Sequence, residues 1–189
     1  MKGKLVVFSA PSGSGKTTIV KAILEKDIFN FEFSVSATSR KKREGEINGK
    51  DYYFFSVDEF KTKISEKAFV EWEEVYKNQY YGTLHSEIER IRKRNKHVIF
   101  DVDVAGGVNI KRIFKDDCLS VFIMPPSIDE LEKRLVKRGT ETPESLNKRI
   151  SKAEFELTFS EKFDISIIND NLDQAIEETT EVIREFLNS

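Results

Sequence analysis

The segment Ala10-Pro11-Ser12-Gly13-Ser14-Gly15-Lys16-Thr17-Thr18 constrains this chain more than any other. The short apolar run Leu5-Val6-Val7-Phe8 precedes it, and Ile19, Val20, Ile23 and Leu24 follow at helical spacing. Strand, glycine-bearing turn and helix, in that order, form a phosphate loop of the Walker A kind. Glycines let backbone N–H groups turn inward around phosphate oxygens, and the helix N-terminus adds partial positive charge. In such a loop Lys16 neutralises β- and γ-phosphate oxygens and Thr17 ligates Mg²⁺. Ala10 stands where the motif usually has its first glycine, so a negative φ is needed there for alanine to be accepted without strain.

The remaining apolar runs say what this loop is mounted on. Val98-Ile99-Phe100, Leu119 to Ile123 and Ile165 to Ile168 are short, rich in β-branched residues and not alternating. Strands apolar on both faces belong to parallel sheets covered by helices on both sides, and helical patterns follow most of these runs. The prediction is a single α/β domain over residues 1–189. Leu172, Ala175, Ile176, Thr179, Val182, Ile183 and Phe186 mark a final core-covering helix with Asn171 as its N-cap. A second helix is predicted after Pro125-Pro126, where Ser127 and Glu130 have capping-box spacing and Arg134 and Arg138 share one face.

Lys plus Arg (31) nearly balance Asp plus Glu (33), which disfavours a general nucleic-acid binder with a strongly basic surface. The lone Cys118 precludes an internal disulfide, and His85 and His97 lack zinc-ligand spacing. No secretory h-region is visible and no apolar run approaches the ~20 residues of a membrane span. A cytoplasmic protein with no membrane, nucleic-acid or obligate protein partner is expected.

Between the first strand-helix unit and Val98 lies a segment rich in aromatics and charge. Phe33-Ser34-Val35-Ser36 and Tyr52-Tyr53-Phe54-Phe55, beside the turn signal Asn48-Gly49, read as short antiparallel strands of an insertion. Arg40 and Arg43 offer planar forks for phosphate, Tyr52 and Tyr81 offer hydroxyl donors, and Glu71 offers an acceptor for paired N–H groups such as guanine N1 and N2. Taken alone, the run from Arg40 to Arg43 reads first as a solvated basic patch, and the tyrosines equally as packing. The strand at Val98 leads into Asp101-Val102-Asp103, where alternation puts both carboxylates on one face. Asp101 fits a carboxylate near Mg²⁺, although such strand-end acids also occur as solvated caps.

With these residues together, the chain resembles guanylate kinases from Leu5 to the C-terminal helix. The resemblance implies a P-loop nucleoside-monophosphate-kinase fold: a parallel sheet flanked by helices, with core 1–33, 86–135 and 151–189, a GMP-binding insertion at 34–85 and a lid at 136–150. It implies ATP, GMP and dGMP as substrates and Mg²⁺ as cofactor. By resemblance, Arg40, Arg43, Tyr52 and Tyr81 hold the GMP phosphate, while Ser36, Glu71, Thr83 and Asp103 read guanine. Residues Ala10 to Thr18, Arg134 and Asn169 are assigned to ATP, the last at the adenine and largely through its backbone. Lys16, Arg43, Arg138 and Arg149 are assigned to the transferring phosphoryl group, whose charge is spread over its oxygens. The chain departs from the family pattern at Lys41-Lys42 in place of Thr-Pro, at Thr83 in place of serine, and in a slightly long loop between Trp72 and Tyr80. Two other readings stay open: a domain of this fold that only binds phosphorylated peptides, and a kinase acting on another phosphate ester.

Overall fold

The first strand, β1 (Leu5–Ser9), is buried on both faces because it is the central strand of a parallel sheet. The computed structural model describes residues 3–137 and 142–189. From β1 the chain forms α1 (Lys16–Glu25) and β2 (Phe31–Phe33), then leaves the sheet for β3 (Ala37–Thr38), β4 (Tyr53–Phe54), α2 (Val57–Ser65), β5 (Phe69–Tyr76) and β6 (Gln79–Leu84). It returns through α3 (His85–Arg92), β7 (His97–Asp101), α4 (Val104–Phe114) and β8 (Cys118–Met124). The last elements are α5 (Ile128–Lys137), α6 (Pro143–Leu157), β9 (Ile165–Ile168) and α7 (Leu172–Asn188).

The core sheet has the order β2-β7-β1-β8-β9 with every neighbouring pair parallel. Val6 and Phe8 pack with Ile19 and Ile23 of α1 and Ala175 and Ile183 of α7 on one face. Leu5 and Val7 pack with Ile88 and Ile91 of α3 and Ile110 of α4 on the other. Two covered faces leave no polar side to a strand, which is the origin of the unbroken apolar runs. Asn171 caps α7 by accepting from the Gln174 N–H. Only half of a capping box forms at α5: Ser127 Oγ accepts the Glu130 N–H at 3.1 Å, while the Glu130 carboxylate accepts from Arg134 Nε at 3.2 Å.

The second sheet, of order β4-β3-β6-β5, has its own small core. Phe60 of α2 stacks on Phe69 with ring centroids 4.4 Å apart and on Tyr80 at 5.5 Å. Two sequence expectations need correction here. Phe33 belongs to β2, which runs parallel to β7 at the edge of the core sheet, and β4 pairs with β3 in parallel. The chain between Thr38 and Tyr53 is a long excursion that contains the Asn48-Gly49 turn, so β4 re-enters beside β3 in the same direction. The antiparallel pairs are β3 with β6 and β5 with β6. The segment between Trp72 and Tyr80 is mostly strand; Asn78 turns the hairpin at φ 61°, and the pairing of β5 with β6 carries two register shifts. Among the described residues no helix is long and apolar enough to cross a membrane.

Candidate active site

At the carboxyl end of β1 the chain turns through Ala10 to Gly15 into α1. Gly13 and Gly15 hold φ values of 102° and 90°, the left-handed region that side chains resist. Ala10 is not among the residues with positive φ, so alanine is accommodated where the motif prefers glycine. The loop is braced from behind: Asn169, 5 % exposed, donates from Nδ2 to the Ser14 carbonyl at 2.7 Å. A Cβ on Gly15 would come within 2.2 Å of that same Nδ2, so the brace itself requires glycine. The Asn169 N–H donates to the Met124 carbonyl and its own carbonyl accepts from Arg134 Nη1 at 3.0 Å. Asn169 thus joins Arg134 to the phosphate loop, and neither residue lines the cavity described below.

Lys16 leads α1 and donates from Nζ to the Val102 carbonyl at 2.8 Å while pairing with the Asp101 carboxylate. Thr17 Oγ1 donates to the other Asp101 oxygen at 3.2 Å. Asp101 is the last residue of β7, adjacent in the sheet to β1, so the strand order itself places the carboxylate beside the loop. Strand alternation was the wrong reason to place Asp103 here, because β7 stops at Asp101. Asp103 instead caps α4, its Oδ1 accepting the Gly106 N–H at 2.7 Å, and it reaches the same cavity from that position.

That cavity has a volume of about 480 Å³. Its floor is the phosphate loop with Lys16, Thr17 and Asp101; its far wall is Glu71 of β5 and Tyr81 of β6 with Ser36 and Tyr52, which immediately precede β3 and β4, and Asp103 lies between floor and wall. Burial pushes the Glu71 carboxyl up to about 7, and the nearby Asp103 charge adds to the shift. Gly106 lets the two acids converge, since a Cβ there would lie 3.1 Å from Glu71 Oε2 and 3.4 Å from Asp103 Oδ1. Thr83 is fully buried behind this wall, where its hydroxyl and N–H face the Glu71 carboxylate and partly offset the upward shift.

Arg40 and Arg43 stand outside the cavity lining. Arg40 grips Glu46 through both Nη atoms, at 2.7 and 2.5 Å, and lies 4.9 Å over the Tyr52 ring. The Arg43 N–H donates to the same Glu46 carboxylate at 2.7 Å, so Glu46 organises both arginines. The Arg40 guanidinium holds Glu46 down at about 2. Arg149 of α6 donates to Ser12 Oγ at 3.0 Å and so reaches the phosphate loop. Arg138 lies outside the described residues.

Three charged residues of the cavity escaped the sequence reading: Glu73, Lys152 and Glu156. Glu73 sits two residues beyond Glu71 on β5, and alternation alone could have found it. Its hydrogen bond with Asp103 raises its carboxyl to about 7. Lys152 and Glu156 follow Arg149 at three- and seven-residue spacing on α6, one helical face that could have been extended from Arg149.

The guanylate kinase family model matches residues 2–186. The chain belongs to the guanylate kinase family. A guanylate kinase of Bacteroides thetaiotaomicron is 50 % identical over 188 residues, covering 100 % of this chain and 92 % of its own length. One from Salinibacter ruber is 49 % identical over 185 residues, covering 98 % of this chain and 97 % of the relative. The crystal structure of guanylate kinase from Anaplasma phagocytophilum superposes with a TM-score of 0.75 at 30 % identity, over 97 % of this chain and 85 % of that one. That neighbour and the parallel sheet flanked by helices give this guanylate kinase family member the P-loop nucleoside-monophosphate-kinase fold.

Proposed function

We propose that this protein transfers the γ-phosphoryl group of ATP to the phosphate of GMP or dGMP, with Mg²⁺, in cytoplasmic purine nucleotide metabolism. The observation that carries the reading is the meeting of two recognition elements in one cavity: a phosphate loop on one side and the converging acids Glu71 and Asp103 on the other. Paired carboxylate acceptors suit the N1 and N2 donors of guanine, whereas a sugar bisphosphate offers hydroxyls but no fixed pair of N–H donors. The phosphate of GMP would then lie toward Tyr52 and Tyr81, with Arg40 and Arg43 closing on it from the loop that Glu46 organises.

Thr17 and Asp101 present hard oxygen donors side by side next to the phosphate loop, a set that suits Mg²⁺ completed by water and phosphate oxygens. The ion supplies charge neutralisation across the β- and γ-phosphates when bound. Lys16 and Arg149 supply the protein's own cations at the loop, and the acceptor phosphate is already anionic, so no general base is needed. The remaining task is orientation and exclusion of water, because a misplaced water would take the phosphoryl group instead. Calorimetric titration of GMP and ATP into wild-type protein and Glu71→Gln tests the base-reading step. GMP affinity should fall by about 10- to 100-fold, the range for a lost charged hydrogen bond, with ATP affinity kept. Equal GMP affinity in the variant would remove guanine recognition from this wall.

A further inference from the structure

Behind the cavity lies a buried carboxylate that the reaction does not use. Glu87 of α3 is 2 % exposed, yet four donors converge on it. Oε1 accepts the Val35 N–H at 3.0 Å and Arg90 Nη2 at 2.8 Å. Oε2 accepts the Tyr53 hydroxyl at 2.9 Å and Arg90 Nε at 2.9 Å. Arg90 also pairs with Glu32 of β2, which ties the group to the edge of the core sheet. Burial alone would raise this carboxyl; Arg90, the Val35 N–H and the Tyr53 hydroxyl outweigh it and hold it below its usual range.

The position of these partners gives the network its meaning. The chain passes from the core sheet to the second sheet just after Phe33 and comes back at Leu84, one helical turn before Glu87. Val35 precedes Ser36, and Tyr53 follows Tyr52; Ser36 and Tyr52 both line the cavity. Neighbouring side chains of extended chain face opposite ways, so a carboxylate that holds the Tyr53 hydroxyl from behind sets where Tyr52 stands in front, while its bond to the Val35 N–H fixes the backbone immediately before Ser36. A backbone bond locks the two segments together, with the Tyr53 N–H donating to the Ser36 carbonyl at 2.9 Å.

We propose that Glu87 is a positioning residue for the monophosphate site, fixing Ser36 and Tyr52 against the core through Val35, Tyr53 and Arg90. The inference rests on the guanylate kinase reading of the cavity. Glu87 touches no reacting group, so its loss should weaken monophosphate binding and leave the ATP side alone. The test is steady-state kinetics on the full chain for wild type, Glu87→Gln and Tyr53→Phe, varying GMP at saturating ATP and then the reverse. The KM for GMP should rise about tenfold in Glu87→Gln and about threefold in Tyr53→Phe, with kcat and the KM for ATP within about twofold of wild type. If Glu87→Gln does not fold, Tyr53→Phe decides alone. An unchanged GMP KM in the folded variants, an equal rise in both KM values, or a lowered melting temperature with both KM values intact would overturn the proposal. Wild-type protein that turns over no GMP would instead overturn the reading of the cavity, and this inference with it.

Discussion

Glu71 is where stability and recognition pull in opposite directions. Its carboxyl titrates near 7 in the folded protein against 4.5 for the ordinary group, and desolvation is the main cause. The folded state therefore holds this proton more tightly than the unfolded chain, and the stability it contributes is lost as pH rises from about 4.5 through about 7. Recognition has the opposite sign, since only the ionised carboxylate accepts from both guanine donors. The KM for GMP should fall as pH rises from about 6 to about 8, and the slope should shrink in Glu71→Gln; a slope unchanged in that variant would move the titration to another group, either Glu73, which shares the same range, or the GMP phosphate, whose second ionisation lies at about pH 6. The same variant should melt higher than wild type at pH 8 in the absence of nucleotide, because it removes a carboxylate that burial disfavours. Lys16 is the simpler case. It directly follows the loop's last glycine at the head of α1, and Lys16→Ala should lower kcat by on the order of 10²- to 10³-fold, as removal of one preorganised transition-state donor does, with the melting temperature little changed.

At the scale of the element, the phosphate loop is held by a residue far away in sequence. Asn169 follows β9 and meets Ser14 across 155 positions. Asn169→Ala leaves the buried Ser14 carbonyl unpaired and should destabilise the protein by about 1–3 kcal/mol, with a raised KM for ATP measurable in the same preparation. Wild-type ATP affinity in that variant would show that the loop keeps its shape without the brace. Several of these elements were legible in the sequence because the cause is local. The phosphate loop shows in glycines at fixed spacing, the core strands in apolar runs without alternation, and α7 in a stripe with its Asn171 cap. The direction of β4 was not legible, since it depends on the path of the whole excursion between Thr38 and Tyr53. The structural task of the Asn169 side chain was not legible: it serves Ser14, a contact that exists only once β9 lies beside β8. Glu87 gave no signal at all, because it serves segments 34 and 52 residues away and resembles any acidic residue on a helix.

For the whole molecule, the two sheets and α6 enclose one cavity, and α6 touches both of its ends. Arg149 bonds to Ser12 of the phosphate loop, while Lys152 and Glu156 of the same helix face line the wall beside Glu73. This enclosure passes a phosphoryl group from ATP to a guanine nucleotide in preference to any other base. The most direct test mixes purified protein with ATP, Mg²⁺ and each nucleoside monophosphate in turn, and separates the products by chromatography. GDP formed selectively from GMP, and lost in Lys16→Ala, is the predicted result. Comparable turnover of AMP, CMP or UMP, or GMP binding without turnover by the folded protein, would contradict it.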